Sequence, residues 1–170
     1  DMYFFTSAPS SELCLYLSRM LSQSSPPGDV LLPLCENLSE TIMESLSLDT
    51  DRNFSHILGV LENVLKEARN CFRTRGLSSK VEATNIFIAY TQICRRLPLA
   101  DLTGMQPMKS LLKSDNLHST YMKLLDKQYP QMAISLCTTA RRDPIGLWRR
   151  WGFQCLRAGD YPAARDKLGM

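Results

Sequence analysis

Residues 148–168 read WRRWGFQCLRAGDYPAARDKL, and their spacing sets the expected fold class of the whole chain. Trp148, Trp151 and Cys155 recur at i, i+3 and i+7, which places them on one face of a helix. Gly152, in the same helix, has no side chain to hold a neighbouring helix away. Gly159 suits the left-handed conformation that ends a helix. Tyr161, Ala164 and Leu168 then line a return helix facing inward, with the small Ala164 at the crossing. A hairpin of this kind cannot bury its apolar face alone and needs neighbours.

This alternation of large and small residues has the spacing of a tetratricopeptide-type hairpin. It predicts an all-α fold: an α-solenoid of antiparallel helical hairpins, tetratricopeptide-like at its C-terminal end. Residues 1–170 are expected to form a single helical-repeat segment, with an extended lead-in over 1–9 and helical hairpins over 10–140. The tetratricopeptide-like hairpin over 143–170 is expected to be truncated, as in an excerpt of a longer array.

Helical periodicity extends upstream. Ser10 or Ser11 can cap a helix carrying Leu13, Leu17, Met20 and Leu21, and residues 22–29 (SQSSPPGD) read as a loop. Leu31, Leu34 or Cys35, Leu38, Ile42 and Leu46 mark a second helix. A third starts from an Asn53 cap, carries Phe54, Ile57, Leu58, Leu61, Leu65, Ala68 and Phe72, and stops at Gly76–Leu77. Ser79–Glu82 has the spacing of a capping box for a fourth helix, closed by Pro98. Short helices are expected over 108–113 and 117–127, Pro130 opens the next, and Asp143–Pro144 opens the helix of Trp148.

An apolar fraction of 44% supports a real core, and no apolar run approaches the length of a membrane span. The net charge of +3 hides an asymmetry. Residues 1–62 hold nine acids and two bases, whereas residues 63–170 hold eighteen bases and eight acids. The basic portion could meet an acidic partner or phosphate, but it has no aromatic-interleaved basic strand or recognition helix. No nucleic acid is therefore expected as a partner. The six cysteines form no C-x-x-C pair and fall in apolar stripes, which predicts free thiols.

Chemistry has little material here. The two histidines, His56 and His118, lack any serine, cysteine or aspartate arrangement for nucleophilic catalysis. Zinc needs Cys/His pairs two to four residues apart, and the glycines are too scattered for a phosphate loop. No enzyme activity, metal or cofactor is expected. The polar candidates are the arginine doublets near helix ends, Arg95–Arg96 among them. Arg141–Arg142 and Arg149–Arg150 are the ones assigned to partner binding, and would anchor an acidic partner helix or an anionic membrane surface. A solvated helix surface is the alternative account of them.

Three stretches together resemble one family. They are Tyr3-Phe4-Phe5-x-x-Ala8-Pro9-Ser10-x-x-Leu13-Cys14, Val81-Glu82-x-x-Asn85-Ile86, and Trp148-x-x-Trp151-Gly152-x-x-Cys155-Leu156-Arg157-Ala158-Gly159 continued by Ala163–Lys167. They are similar to the helical region that follows the FYVE zinc finger in the spastizin family, the type linked to hereditary spastic paraplegia. Leu168 departs from that pattern, standing where a larger aromatic is usual.

The resemblance implies a protein-interaction scaffold with spatacsin and the fifth adaptor-protein complex as partners. It implies roles in late endosome and lysosome trafficking, autophagic lysosome reformation and cytokinesis. It also implies a cytoplasmic location peripheral to late endosome and lysosome membranes, with the centrosome or midbody as a further site. Phosphatidylinositol 3-phosphate recognition in that family belongs to the FYVE finger, whose cysteine pairs and basic run this chain lacks. A stand-alone tetratricopeptide-type peptide adaptor and a basic helical nucleic-acid module are the competing functions. Only one window fits a repeat, which favours the scaffold over the adaptor.

Overall fold

A computed structural model describes residues 27–45, 51–102 and 105–169. All the regular structure among them is helical, with no strand. The chain divides into two compact units, Asp1–Leu112 and Lys113–Met170. The helix expected from Ser10 or Ser11 to Leu21 and the extended lead-in over 1–9 lie outside the described residues.

In the first unit, α1 spans Pro27–Ser45, α2 Asp51–Thr74, α3 Ser78–Arg96, α4 Leu99–Leu102 and α5 Met108–Leu111. Of the loop expected over 22–29, residues 27–29 belong to α1, which Pro27 opens at a position where its missing N–H costs nothing, and residues 22–26 lie outside the described residues. The inward stripe of α1 is Leu31, Cys35 and Ser39, while Leu34 and Leu38 are half-buried. Ser39 is polar for a reason: its Oγ accepts the Met108 amide at 2.9 Å, capping α5, which has no side-chain cap of its own.

The stripe expected on α2 is present from Leu58 to Phe72, each residue at most 2% exposed. Val60 and Val64 are buried as well, because α2 packs against both α1 and α3. Full burial of one such side chain stabilises by roughly 1.5–3 kcal/mol. Phe54 and Ile57, nearer its start, are half-buried. The helix begins at Asp51, two residues before the expected Asn53 cap.

α2 and α3 form an antiparallel hairpin, since Arg69 meets Asn85 while Glu62 meets Gln92 and Arg95. Gly76, at φ 69°, makes the turn, and Leu77 and Gly76 donate back to Phe72 and Arg73. The expected capping box does not form. Leu77 is the N-cap and Ser79 already lies inside α3, so no side chain caps that end. Three buried threonines, Thr84, Thr91 and Thr120, satisfy their hydroxyls on carbonyls four residues back, at 2.7–2.8 Å.

In the second unit, α6 spans Ser114–Asp126, α7 Pro130–Thr139, α8 Ile145–Arg157 and α9 Tyr161–Leu168. α6 and α7 pack together, α8 lies against both, and α9 folds back on α8. The core gathers Leu117, Tyr121, Leu124 and Leu125 of α6, Ala133, Leu136 and Cys137 of α7, Leu147 of α8 and Ala164 of α9. Pro130 opens α7 as expected. Asp143 sits one residue before the N-cap of α8 and accepts the Ile145 amide at 2.9 Å.

Candidate interaction surface

α8 divides its residues sharply. Leu147 and Gly152 are buried, and Trp148, Trp151, Gln154 and Cys155 are half-buried. Ile145, Arg149, Arg150, Phe153, Leu156 and Arg157 are exposed. The inward side is fixed by specific contacts. Trp148 and Trp151 stack with ring centroids 5.3 Å apart, and the Lys167 ammonium lies 5.1 and 4.7 Å from the two rings. Gly152 permits the closest approach. A Cβ there would stand 2.6 Å from Leu168 Cγ and 2.8 Å from its Cδ2.

Gly159 ends α8 at φ 78°, with Asp160 and Gly159 donating to Cys155 and Leu156. Asp160 then caps α9, accepting the Ala163 amide at 3.1 Å. Ala164 is fully buried at the crossing. Tyr161 departs from the inward stripe and is 68% exposed. Side chains on a helix lean toward its N-terminus, so the first residue of α9 overhangs the turn with no helical surface beneath it. Leu168 touches Gly152 yet keeps 38% of its surface exposed, because only one side of it meets α8.

The four candidate arginines are all exposed, but they are not equivalent. Arg141 takes φ 53° in the turn after α7, where it serves the backbone. Arg142 follows it, and its carbonyl lies 3.6 Å from the Cys137 thiol. Arg150 pairs with Asp126 at 3.0 Å, and Gln154 donates to the Leu125 carbonyl, so these two side chains pin α8 to the end of α6. Arg149 points into a shallow groove of about 560 Å³ that also has Phe153 and Arg157 along its walls.

The spacing Ile145, Arg149, Phe153, Leu156 is i, i+4, i+8, i+11, a single helical stripe. Sequence reasoning assigned the arginines and missed Phe153. The signal was available: Phe153 falls between two positions of the tryptophan face and cannot share it. His56 and His118 are both exposed, and no cluster of metal-ligating side chains occurs among the described residues. The described cysteines (Cys35, Cys71, Cys94, Cys137 and Cys155) are free thiols. No described helix is long and apolar enough to cross a membrane.

Against known proteins, the chain is 25% identical over 167 residues to Zinc finger FYVE domain-containing protein 26 of Ailuropoda melanoleuca. It is 24% identical over 166 residues to the proteins of that name from Bos taurus and Homo sapiens. Each alignment covers 98% of this chain and 6% of the relative's length. No family model and no solved structure matches. The likeness read from three short motifs thus extends along nearly the whole chain, which is similar to one segment of spastizin.

Proposed function

We propose that this chain is a non-enzymatic scaffold segment of a spastizin-like protein and that the α8 face receives an acidic amphipathic helix from a protein partner. One observation carries the proposal: Ile145, Phe153 and Leu156 are exposed at helical spacing with Arg149 and Arg157 beside them. Apolar side chains would fill the stripe of a bound helix, and carboxylates on its flanks would meet the arginines. The stacked arrangement of hairpins expected from the sequence is part of the same proposal.

By family resemblance, the partners proposed are spatacsin and the fifth adaptor-protein complex. The processes proposed are late endosome and lysosome trafficking, autophagic lysosome reformation and cytokinesis. The region is taken to lie downstream of the FYVE finger, so lipid headgroup binding is assigned to that finger and not to these residues.

The test is co-precipitation of those partners by the full-length parent protein carrying Phe153→Ala or the pair Arg149→Glu and Arg157→Glu. Partner recovery is expected to fall at least tenfold while the melting temperature of the 170-residue chain stays within a degree or two of wild type. Unchanged recovery with both variants would sink the proposal. Binding of nucleic acid that weakens steeply with salt would instead favour the basic-module alternative.

A further inference from the structure

Two glycines lie inside α8, and the fold accounts for one of them. A Cβ at Gly152 would collide with Leu168, so the contact between α8 and α9 excludes a side chain there. A Cβ at Gly146 would meet no atom within 4 Å, and the residue is exposed. Its φ lies outside the left-handed region, so the backbone does not require glycine either. Glycine is the poorest helix former after proline, so Gly146 weakens α8 without serving a contact inside the fold.

What Gly146 does shape is the groove beside it. Gly146, Arg149, Arg150 and Phe153 stand at i, i+3, i+4 and i+7, the four corners of a hole that receives one side chain from a facing helix. Gly146 leaves its corner empty and so widens the hole. At the far corner Phe153 is 55% exposed. Arg149 forms one side wall, and Arg150 forms the other with its guanidinium held to Asp126 at 3.0 Å.

A widened hole with an aromatic ring at one corner and a guanidinium on each side suits a flat, polarisable side chain. Arginine stacks on aromatic faces, and a guanidinium already held by a carboxylate loses little freedom in doing so. Leucine would leave the empty corner unfilled and forfeit its dispersion contacts. A second copy of this chain fits poorly, since two facing α8 helices would bring two sets of arginines together.

We infer that Gly146 sets the specificity of the α8 face by admitting one aromatic side chain of the partner helix, between Arg149 and Arg150 and against Phe153. The inference rests on the proposal that this face receives an acidic amphipathic helix, and it adds the anchor residue of that helix. Arg157, one turn beyond Phe153, is left for a carboxylate of the same helix.

The experiment pans a phage-displayed library of alanine-rich helices, about 18 residues long with one face randomised, on the 170-residue chain. The selected peptides are expected to share one Phe, Tyr or Trp flanked by acids. Their binding, read by fluorescence anisotropy, should weaken at least tenfold on Gly146→Leu, and equally when the shared aromatic is changed to alanine. The melting temperature of Gly146→Leu should equal or exceed that of wild type.

The inference is overturned by selected peptides with no shared aromatic, by binding that Gly146→Leu leaves unchanged, or by a lower melting temperature for that variant. The last would mean that the glycine serves the fold. Peptides lost with Phe153→Ala but indifferent to Gly146→Leu would discard the aromatic anchor and leave the α8 face as the docking surface. A library with no binder sensitive to Phe153→Ala would remove both.

Discussion

At the scale of single residues, four helix ends share one device. After α2, α6, α7 and α8 the chain turns through a left-handed residue: Gly76, Gln128, Arg141 and Gly159. Each turn has the same pair of backbone bonds, such as Tyr129 to Leu124 and Gln128 to Leu125 after α6. The two glycines were legible because glycine alone adopts this conformation without penalty. Gln128 and Arg141 carry no such mark and are held there by the packing of the helices they join. A side chain in this region costs about 1 kcal/mol. Gln128→Gly should therefore raise stability by about 0.5–1 kcal/mol and Gly159→Ala lower it by about 1 kcal/mol, both measurable by urea denaturation. If Gln128→Gly were destabilising, the side chain would hold more than the turn.

The element scale is set by hairpins, each locked by a small number of contacts. In α2–α3, Glu62 accepts from Gln92 at 2.8 Å and pairs with Lys66 at 2.6 Å and Arg95 at 3.6 Å. Burial raises its carboxyl, but the Gln92 and Lys66 hydrogen bonds and the charges of Lys66 and Arg95 outweigh that and hold it below the usual carboxylate range. A depressed folded value means that the stabilisation is complete above the unfolded value of about 4.3. It is lost as pH falls through the lower folded value. Wild type should accordingly lose melting temperature below pH 4 more steeply than Glu62→Gln, and parallel curves would show that the cluster contributes nothing.

The α8–α9 hairpin offers a second test at this scale. Gly152→Ala should cost about 1–2 kcal/mol by displacing Leu168, and Leu168→Ala in that background should recover most of it. A fully buried indole would cost about 3–5 kcal/mol on truncation. Trp148 is half-buried between Trp151 and Lys167, so Trp148→Ala should cost about 2 kcal/mol, read from the denaturation midpoint.

For the whole molecule, charge is distributed by unit. Residues 113–170 hold ten bases and five acids, and three of those bases, Arg149, Arg150 and Arg157, lie along one helix. Association with an acidic partner should weaken as salt rises from low to physiological strength, since the Debye length falls to about 8 Å at 0.15 M. Isothermal titration across that range, with the Arg149→Glu and Arg157→Glu pair as reference, should show the salt dependence shrinking with the charge. A salt dependence identical in both proteins would remove the arginines from the interface.

The sequence by itself determined the helical class, most helix positions and the mechanics of the last hairpin. These depend on spacing along the chain: apolar residues three or four apart, proline at a helix start, glycine where a turn or a close approach excludes a side chain. Tertiary structure alone decided which of two adjacent stripes faces inward and which polar groups find partners. Cys35 rather than Leu34 turns to the core of α1 because α2 lies on that side, and Ser39 is buried because a helix sixty-nine residues later needs a cap. Phe153 and Tyr161 stay exposed because no neighbour among the described residues covers them, although both are as apolar as residues that are buried. Burial is a property of what lies opposite a side chain, and local spacing does not encode that.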